Sequence, residues 1–228
     1  NEIAPPGESI SGSTLPGSFK EFLQDESREE QIHRMVQNLR SCSDAIERLR
    51  ESSGRDIHLG LEPEPLGLFE TSEETVNFFE RLHEGLSASE GERLQRNLGV
   101  NYDTCHLAVE FEEPHEAIQR LREAGVRISK IHLSSALRLE PTPEALKRLE
   151  AFQDEVYLHQ VVVGENRQAV KRFRDLPDAF AWYASNPERA GEEWRVHFHD
   201  PIHSHPEALF ADTRNHIIGL LAVMENDP

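Results

Sequence analysis

Short apolar runs alternate with amphipathic segments along the chain, a pattern typical of βα units. The apolar runs predict five strands, at residues 57–62, 98–103, 128–134, 156–163 and 194–199, and a weaker one at 9–13. The segments between them carry apolar residues at helical spacing or helix-start signals. They predict helices at 25–52, 71–82, 87 onward, 114–123, 142 onward, 178–185 and 213–225. Strand ends separated by roughly 30 to 40 residues match the size of a βα unit, so we predict an α/β fold of the TIM-barrel type.

The chain is short for a complete barrel of this kind. It has 228 residues, whereas a closed (β/α)8 barrel typically needs about 250. We therefore predict one domain over residues 1–228: an incomplete TIM (β/α)8-type barrel with five or six strands. Self-association could cover the open edges of such a sheet.

Polar residues recur in the same phase on the predicted strands. Because strand side chains alternate between two faces, each strand presents one apolar face and one polar face. The polar face ends, toward the C-terminus of successive strands, in Glu62, Asp103, His132, His159 and His199. In a barrel these positions would converge at one mouth, where active sites form. Three imidazoles and two carboxylates suit Zn, Mn or Fe, and His106, three residues after Asp103, could join the same ion or a second one.

Simpler interpretations apply to several of these residues. A single histidine near a strand end is more commonly a hydrogen-bonded core residue than a ligand, but five polar residues in phase favour a site. Half of the histidine cluster near the C-terminus could be solvated loop; it comprises His197, His199, His203 and His205. A serine nucleophile at Ser134 is not favoured, because no nucleophile-elbow glycine pattern surrounds it. A thiol nucleophile at Cys105 is not favoured either, because neighbours on one short turn, such as Cys105 and His106, seldom point at each other.

Charge and composition narrow the choice of partners. The net charge is −18 and no Lys/Arg-rich run occurs, which argues against nucleic acid as a partner. No apolar stretch is long enough to predict a membrane span. The two cysteines, Cys42 and Cys105, do not form a disulfide framework, which suits a reducing cytoplasm. We expect a cytoplasmic protein with a small-molecule partner.

Three segments resemble the xylose-isomerase-like TIM barrels, a superfamily that includes the endonuclease-IV-like proteins. They are LEPEP at 61–65, DTCH at 103–106 and KIHLSSA at 130–136. Together with SISGSTLP at 9–16, YLHQ at 157–160 and HFHDP at 197–201, they resemble more narrowly the EboE-type metabolite-traffic proteins. The likeness extends over nearly the whole chain. It also implies that the first strands of the barrel and its last strand lie outside residues 1–228, and that the last strand carries a further glutamate ligand.

The resemblance implies a metal site and a function. The residues that match ligand positions of the superfamily are Glu62, Asp103, His106 and His132. His159 and His199 match motif positions of unassigned role. The candidate ligands of a divalent ion, Zn, Mn or Mg, are therefore Glu62, Asp103, His106, His132, His159 and His199. The implied activity is isomerisation or epimerisation of a sugar-like hydroxy-carbonyl metabolite, with Glu64, or else Glu62, moving the proton. Two alternative functions stay open. One is a metabolite-binding protein without turnover, and the other, which the negative charge disfavours, is an endonuclease-IV-like phosphodiesterase.

Overall fold

The chain folds into two compact units. The computed structural model describes residues 8–15, 17–23, 27–203, 206 and 208–226; His205 and the predicted helix start at Asp25 lie outside these ranges. Unit 1 comprises Asn1–Tyr102 and Gln119–His132. Unit 2 comprises Asp103–Ile118 and Leu133–Pro228.

Unit 1 is built on a parallel sheet of four strands in the order β1–β2–β3–β4. The strands are β1 (Ser9–Thr14), β2 (Asp56–Leu61), β3 (Leu98–Asp103) and β4 (Arg127–His132). In register, Ser9 lies opposite Asp56 and Gly60 lies opposite Gly99. A Cβ atom added at Gly99 would lie 2.3 Å from the Arg127 backbone oxygen. The absence of a side chain at Gly99 therefore lets the backbone of β4 approach β3 closely at Arg127.

Three helices of unit 1 begin or end at the residues that the sequence pattern marks. They are α1 (Arg28–Ser53), α2 (Ser72–His83) and α3 (Ala88–Asn97). Helix α1 ends at Gly54, which has a φ of +65°, and the Thr71 side chain accepts from the Glu74 backbone N–H at 3.2 Å before α2. Ser87 and Glu90 form the capping box of α3. Among the described residues, no helix has the length and apolar character that crossing a membrane requires.

Unit 2 contains an antiparallel sheet in the order β7–β6–β8–β5–β9. Its strands are β5 (Ser135–Leu139), β6 (Val161–Glu165), β7 (Gln168–Phe173), β8 (Glu193–Asp200) and β9 (Ala211–Asp212). The helices after β3 are α4 (Thr104–Val109), α5 (Pro114–Glu123), α6 (Pro143–Leu149), α7 (Leu176–Ser185) and α8 (Arg214–Asn226). The two faces of the sheet have different neighbours, and this difference positions the polar residues of β8.

The apolar core of unit 2 lies mainly on one face of the sheet. Trp194 and Val196 of β8 are fully buried and pack with Leu149 of α6 and Leu176 of α7. On the other face, a smaller cluster joins Cys105 and Val109 of α4 to Val162 of β6. Because β8 alternates, His197 and His199 point to the face opposite Trp194 and Val196.

The predicted TIM barrel with five or six parallel strands is wrong. The structure instead has a four-stranded parallel sheet and a five-stranded antiparallel one. Only Leu133 and Ser134 separate β4 from β5, whereas a parallel crossover needs a dozen or more residues. Strand β5, which the sequence pattern does not predict, therefore follows β4 without a crossover helix, and the helix predicted from residue 142 onward is α6, which comes after β5.

A second deviation from the barrel lies in the segment 156–173. The predicted strand at 156–163 begins only at Val161, because Val156 and Tyr157 lie outside it and are 79% and 71% exposed. Strand β6 then turns directly into β7 through Asn166 and Arg167, which have φ angles of +50° and +61°. Positive φ at both central residues is the geometry of a tight hairpin turn. The pair Asn-Arg is a weaker signal of that turn than Asn-Gly, which explains why β7 is absent from the sequence prediction.

Candidate metal centre

The junction of β3 and α4 presents two buried polar residues of unit 2. Asp103 caps α4: its Oδ1 accepts from the backbone N–H of Cys105 at 2.8 Å and of His106 at 3.3 Å. Asp103 and His106 are 2% and 3% exposed. The Asp-x-x-His spacing therefore places the histidine in the first turn of the helix that the aspartate caps.

Strand β8 brings two further imidazoles to His106. His197 and His199 lie two residues apart on the same face of β8. The Nε2 atom of His199 lies 3.3 Å from Nε2 of His106 and 3.0 Å from Nε2 of His197. The rings of His106 and His197 meet edge to face, with centroids 4.6 Å apart. His199 therefore brings its Nε2 close to both of the other imidazoles.

Hydrogen bonds fix which nitrogen of each β8 histidine is free to bind a cation. The Nδ1 atom of His197 lies 2.7 Å from the amide oxygen of Gln160, so Nδ1 carries the proton. Ser134 donates its hydroxyl to Asp103 at 3.3 Å and therefore accepts from Nδ1 of His199 at 3.0 Å. Both histidines consequently keep the Nε2 lone pair, because a neutral imidazole has one protonated nitrogen.

With Nδ1 protonated on both rings, the Nε2 atoms of His197 and His199, which lie 3.0 Å apart, present their lone pairs to each other. Protonation of His197 is opposed, because burial and then the neighbouring His106 and His199 lower its pKa well below the ordinary value. Opposed lone pairs repel unless a cation lies between them. Two nitrogens bound to one tetrahedral Zn²⁺ at about 2.0–2.1 Å lie roughly 3.3 Å apart. This separation is close to the 3.3 Å and 3.0 Å from Nε2 of His199 to Nε2 of His106 and of His197.

Two overlapping sets of residues in unit 2 have the spacing of metal ligands. One set is Asp103, His106 and His199, and the other is Cys105, His197 and His199; the ligand atoms of each set lie within 4.8 Å of one another. Cys105 is fully buried, its thiol donates to the Phe198 backbone oxygen at 3.1 Å, and burial raises the pKa of the thiol well above its ordinary value. The described residues can therefore hold a metal ion, although they do not identify it.

In unit 1, Glu62 and His132 also come together. Glu62 follows β2 directly, and its Oε1 lies 3.2 Å from Nδ1 of His132. The amide nitrogen of Asn101, a fully buried residue of β3, donates to Oε2 of Glu62 at 2.7 Å and lies 3.1 Å from Nδ1 of His132. This trio orients the Glu62 carboxylate at the C-terminal end of the parallel sheet.

Two other predicted site residues lie in loops. His159 precedes β6; its backbone N–H donates to Asp175 at 2.9 Å and its ring faces Phe198 at 4.3 Å. It belongs to none of the metal-compatible groups in the described part of the chain, and burial lowers its pKa. Glu64 lies in the turn after β2, where its backbone oxygen accepts from Gly67 at 2.9 Å and Leu66 has a φ of +66°.

The ligand set predicted from the sequence lacks several residues that the structure brings to these clusters. The sequence pattern places His197 in the histidine cluster only, raises Cys105 as a nucleophile and not as a ligand, and gives Asn101 and Ser134 no ligand-orienting role. Asn101 carried a usable signal, because it lies two residues before Asp103 and thus on the same strand face. Gln160 carried none, since it contacts His197 from the loop before β6.

Comparison with known proteins gives no family for this chain. No protein-family model matches it, and no curated protein matches it either. The resemblance to xylose-isomerase-like proteins therefore stays an expectation, and the donor geometry alone supports the metal centre.

Proposed function

We propose that this protein binds a divalent transition-metal ion through Asp103, His106 and His199, and that it isomerises or epimerises a small sugar-like hydroxy-carbonyl metabolite. The observation that carries the proposal is the 3.3 Å approach of Nε2 of His106 to Nε2 of His199, in a set whose ligand atoms all lie within 4.8 Å of one another. The Ser134 hydroxyl holds the His199 ring through its other nitrogen, Nδ1. Partners of this kind on the second nitrogen of a histidine are typical of metal sites.

The donor atoms favour Zn²⁺ or Mn²⁺ over Mg²⁺. Imidazole nitrogens outnumber carboxylates around His199, and Mg²⁺ prefers oxygen ligands in octahedral geometry. Imidazole suits Zn²⁺ best of the three. The neutral state of His197, which burial favours, keeps an additional nitrogen donor available at neutral pH.

The proposed chemistry needs a Lewis acid and a group that moves a proton. Asp103, His106 and His199 would hold the ion, which would supply Lewis-acid polarisation of carbonyl and hydroxyl oxygens. The resemblance, and not the placement of the two units, names Glu62 and Glu64 as the carboxylates that move the proton between adjacent carbons. Hydrogen bonds from Asn101 and contact with His132 orient the Glu62 carboxylate, whereas Glu64 lies two residues further along, in the turn.

Metal analysis of the purified chain tests the first half of the proposal. We expect one Zn²⁺ or Mn²⁺ per chain, and we expect His199→Ala to lose most of it. His203→Ala is the matched control, because His203 is an exposed histidine nearby in sequence. Equal metal content in wild type, His199→Ala and His203→Ala would contradict the proposed site.

Hydrogen exchange tests the second half. The metal-loaded protein is incubated in deuterated water with a panel of aldoses and ketoses. A sugar that is a substrate should incorporate deuterium at the carbon next to its carbonyl. Exchange should be lost on chelation of the metal. Specific sugar binding without exchange would instead identify a metabolite-binding protein without turnover and would contradict the isomerase proposal.

A further inference from the structure

The two ligand sets of unit 2 share one histidine, and this sharing limits how they can be used. His199 belongs both to the set with Asp103 and His106 and to the set with Cys105 and His197. Its Nδ1 is engaged by the Ser134 hydroxyl at 3.0 Å. Only the Nε2 lone pair remains, and one lone pair binds one ion. The two sets are therefore alternatives for a single ion and not two sites that fill together.

The two alternatives differ in chemical softness. The first offers a carboxylate and two imidazoles, a set that suits harder ions such as Mn²⁺. The second offers a thiolate and two imidazoles, a set that favours ions softer than Zn²⁺ and Mn²⁺, such as Cd²⁺. We propose that the centre has two overlapping metal positions that share His199: a harder ion occupies Asp103–His106–His199, and a soft ion occupies Cys105–His197–His199. This inference rests on the metal site of the proposed function.

The position of Cys105 is consistent with a ligand that is used only by some ions. Its thiol proton is held by the Phe198 backbone oxygen at 3.1 Å, and the surrounding apolar residues include Val109, Ala136 and Val162. When the sulfur binds an ion, the S–H bond breaks, the sulfur keeps the electron pair for the metal–sulfur bond, and the proton leaves to solvent. A hard ion gains too little from sulfur to offset this deprotonation, whereas a soft ion forms a strong bond to thiolate.

Cadmium and manganese distinguish the two positions experimentally. The chain has two cysteines, Cys42 and Cys105, so Cys42→Ser leaves Cys105 as the only thiol. Cd²⁺ added to Cys42→Ser should produce the near-ultraviolet band of thiolate-to-cadmium charge transfer, and X-ray absorption should show a sulfur neighbour. Mn²⁺ added to the same variant should bind without any sulfur neighbour.

Substitutions then assign the ligands of each position. We expect Asp103→Asn, which keeps an oxygen to cap α4, to weaken Mn²⁺ binding at least about tenfold and to retain the cadmium–thiolate band. Cys105→Ser should remove the band and change Mn²⁺ affinity by less than about twofold. His199→Ala should weaken both ions at least about tenfold. Circular dichroism and thermal unfolding check that each variant is folded.

Competition tests the shared position. Cd²⁺ should displace Mn²⁺ with a final content of one ion per chain. Simultaneous binding of both ions, or cadmium binding by Cys42→Ser without a sulfur neighbour, would overturn the inference while leaving the metal site of the proposed function intact. Failure of both ions to bind would overturn the inference and the proposed function together, whereas failure of Cd²⁺ alone would overturn only the inference.

Discussion

Protonation of His216 should destabilise the protein between pH 7 and pH 5. His216 lies in α8 and is 6% exposed. Burial first, and then the positive charge of Arg195, lower its pKa from 6.5 to about 4, against a smaller opposing effect of a hydrogen bond with the Glu112 backbone. In the unfolded chain the imidazole regains its ordinary pKa, so the unfolded state binds the proton first as the pH falls. The free energy of unfolding that the neutral His216 side chain preserves is therefore present above about pH 6.5 and is lost as the pH falls toward 4.

The size of the effect follows from the two pKa values. A shift from 6.5 to about 4 corresponds to about 3 kcal/mol when complete, at about 1.4 kcal/mol per unit. Between pH 7 and pH 5, the linkage relation gives a loss of about 2 kcal/mol. That is a large fraction of the 5–15 kcal/mol that typically stabilises a folded domain.

Urea unfolding followed by tryptophan fluorescence measures this loss. His216→Gln keeps a side-chain hydrogen-bond donor but cannot take up the proton, so its stability should fall by about 2 kcal/mol less than that of the wild type from pH 7 to pH 5. Other groups that titrate in this range are the same in both proteins and cancel. His115→Gln, at an exposed position of α5, is the matched control and should behave like the wild type. If wild type and His216→Gln lose the same stability over this range, the assignment of a buried, neutral His216 is refuted.

Three further predictions concern packing, the metal centre and the surface. Gly99→Ala should lower the free energy of unfolding by about 2–3 kcal/mol, because the added Cβ would lie 2.3 Å from the Arg127 backbone oxygen. In the same urea assay, the control Gly12→Ala should lower it much less, because its nearest contact would be at 3.5 Å. Ser134→Ala should weaken Zn²⁺ binding at least about tenfold in competition with a chelating dye, because it releases the His199 ring; unchanged affinity would show that Ser134 does not orient the ligand. The net charge of −18 predicts no duplex DNA binding at physiological salt; micromolar affinity in a fluorescence anisotropy titration would contradict it.

The parallel half of the fold could be predicted from the sequence because its signals are local. Strand β3 lies at the predicted residues, and β2 lies within one residue of them. The first of the two helices between them in sequence, α2, begins after Thr71, whose side chain caps it. Each of these features depends on neighbours within a few residues, such as apolar alternation in a strand or a cap before a helix. Local signals of this kind survive in a single sequence.

The antiparallel half could not be predicted because strand direction depends on pairing across the chain. An apolar run has the same composition whether its neighbour is parallel or antiparallel, so the run at 194–199 gave no sign that it pairs with β5 and β6 in the opposite direction. Val156 and Tyr157 extended the predicted strand toward the N-terminus because they are apolar, yet both are exposed. Apolar character alone does not distinguish a buried strand from an exposed loop.

The polar phase of β8 nevertheless remains useful although the predicted barrel is wrong. Side-chain alternation is a property of one strand and does not depend on the direction of its neighbours. In the antiparallel sheet, Asp200 at the end of β8 lies opposite Ser135 at the start of β5. The residue before Ser135 is Ser134, and this register explains why the Ser134 hydroxyl reaches His199. In a parallel pair, the C-terminal end of β8 would instead meet the C-terminal end of β5, and Ser134 would lie at the opposite end of the sheet. The reversed strand direction therefore supplies the hydroxyl that orients the candidate ligand.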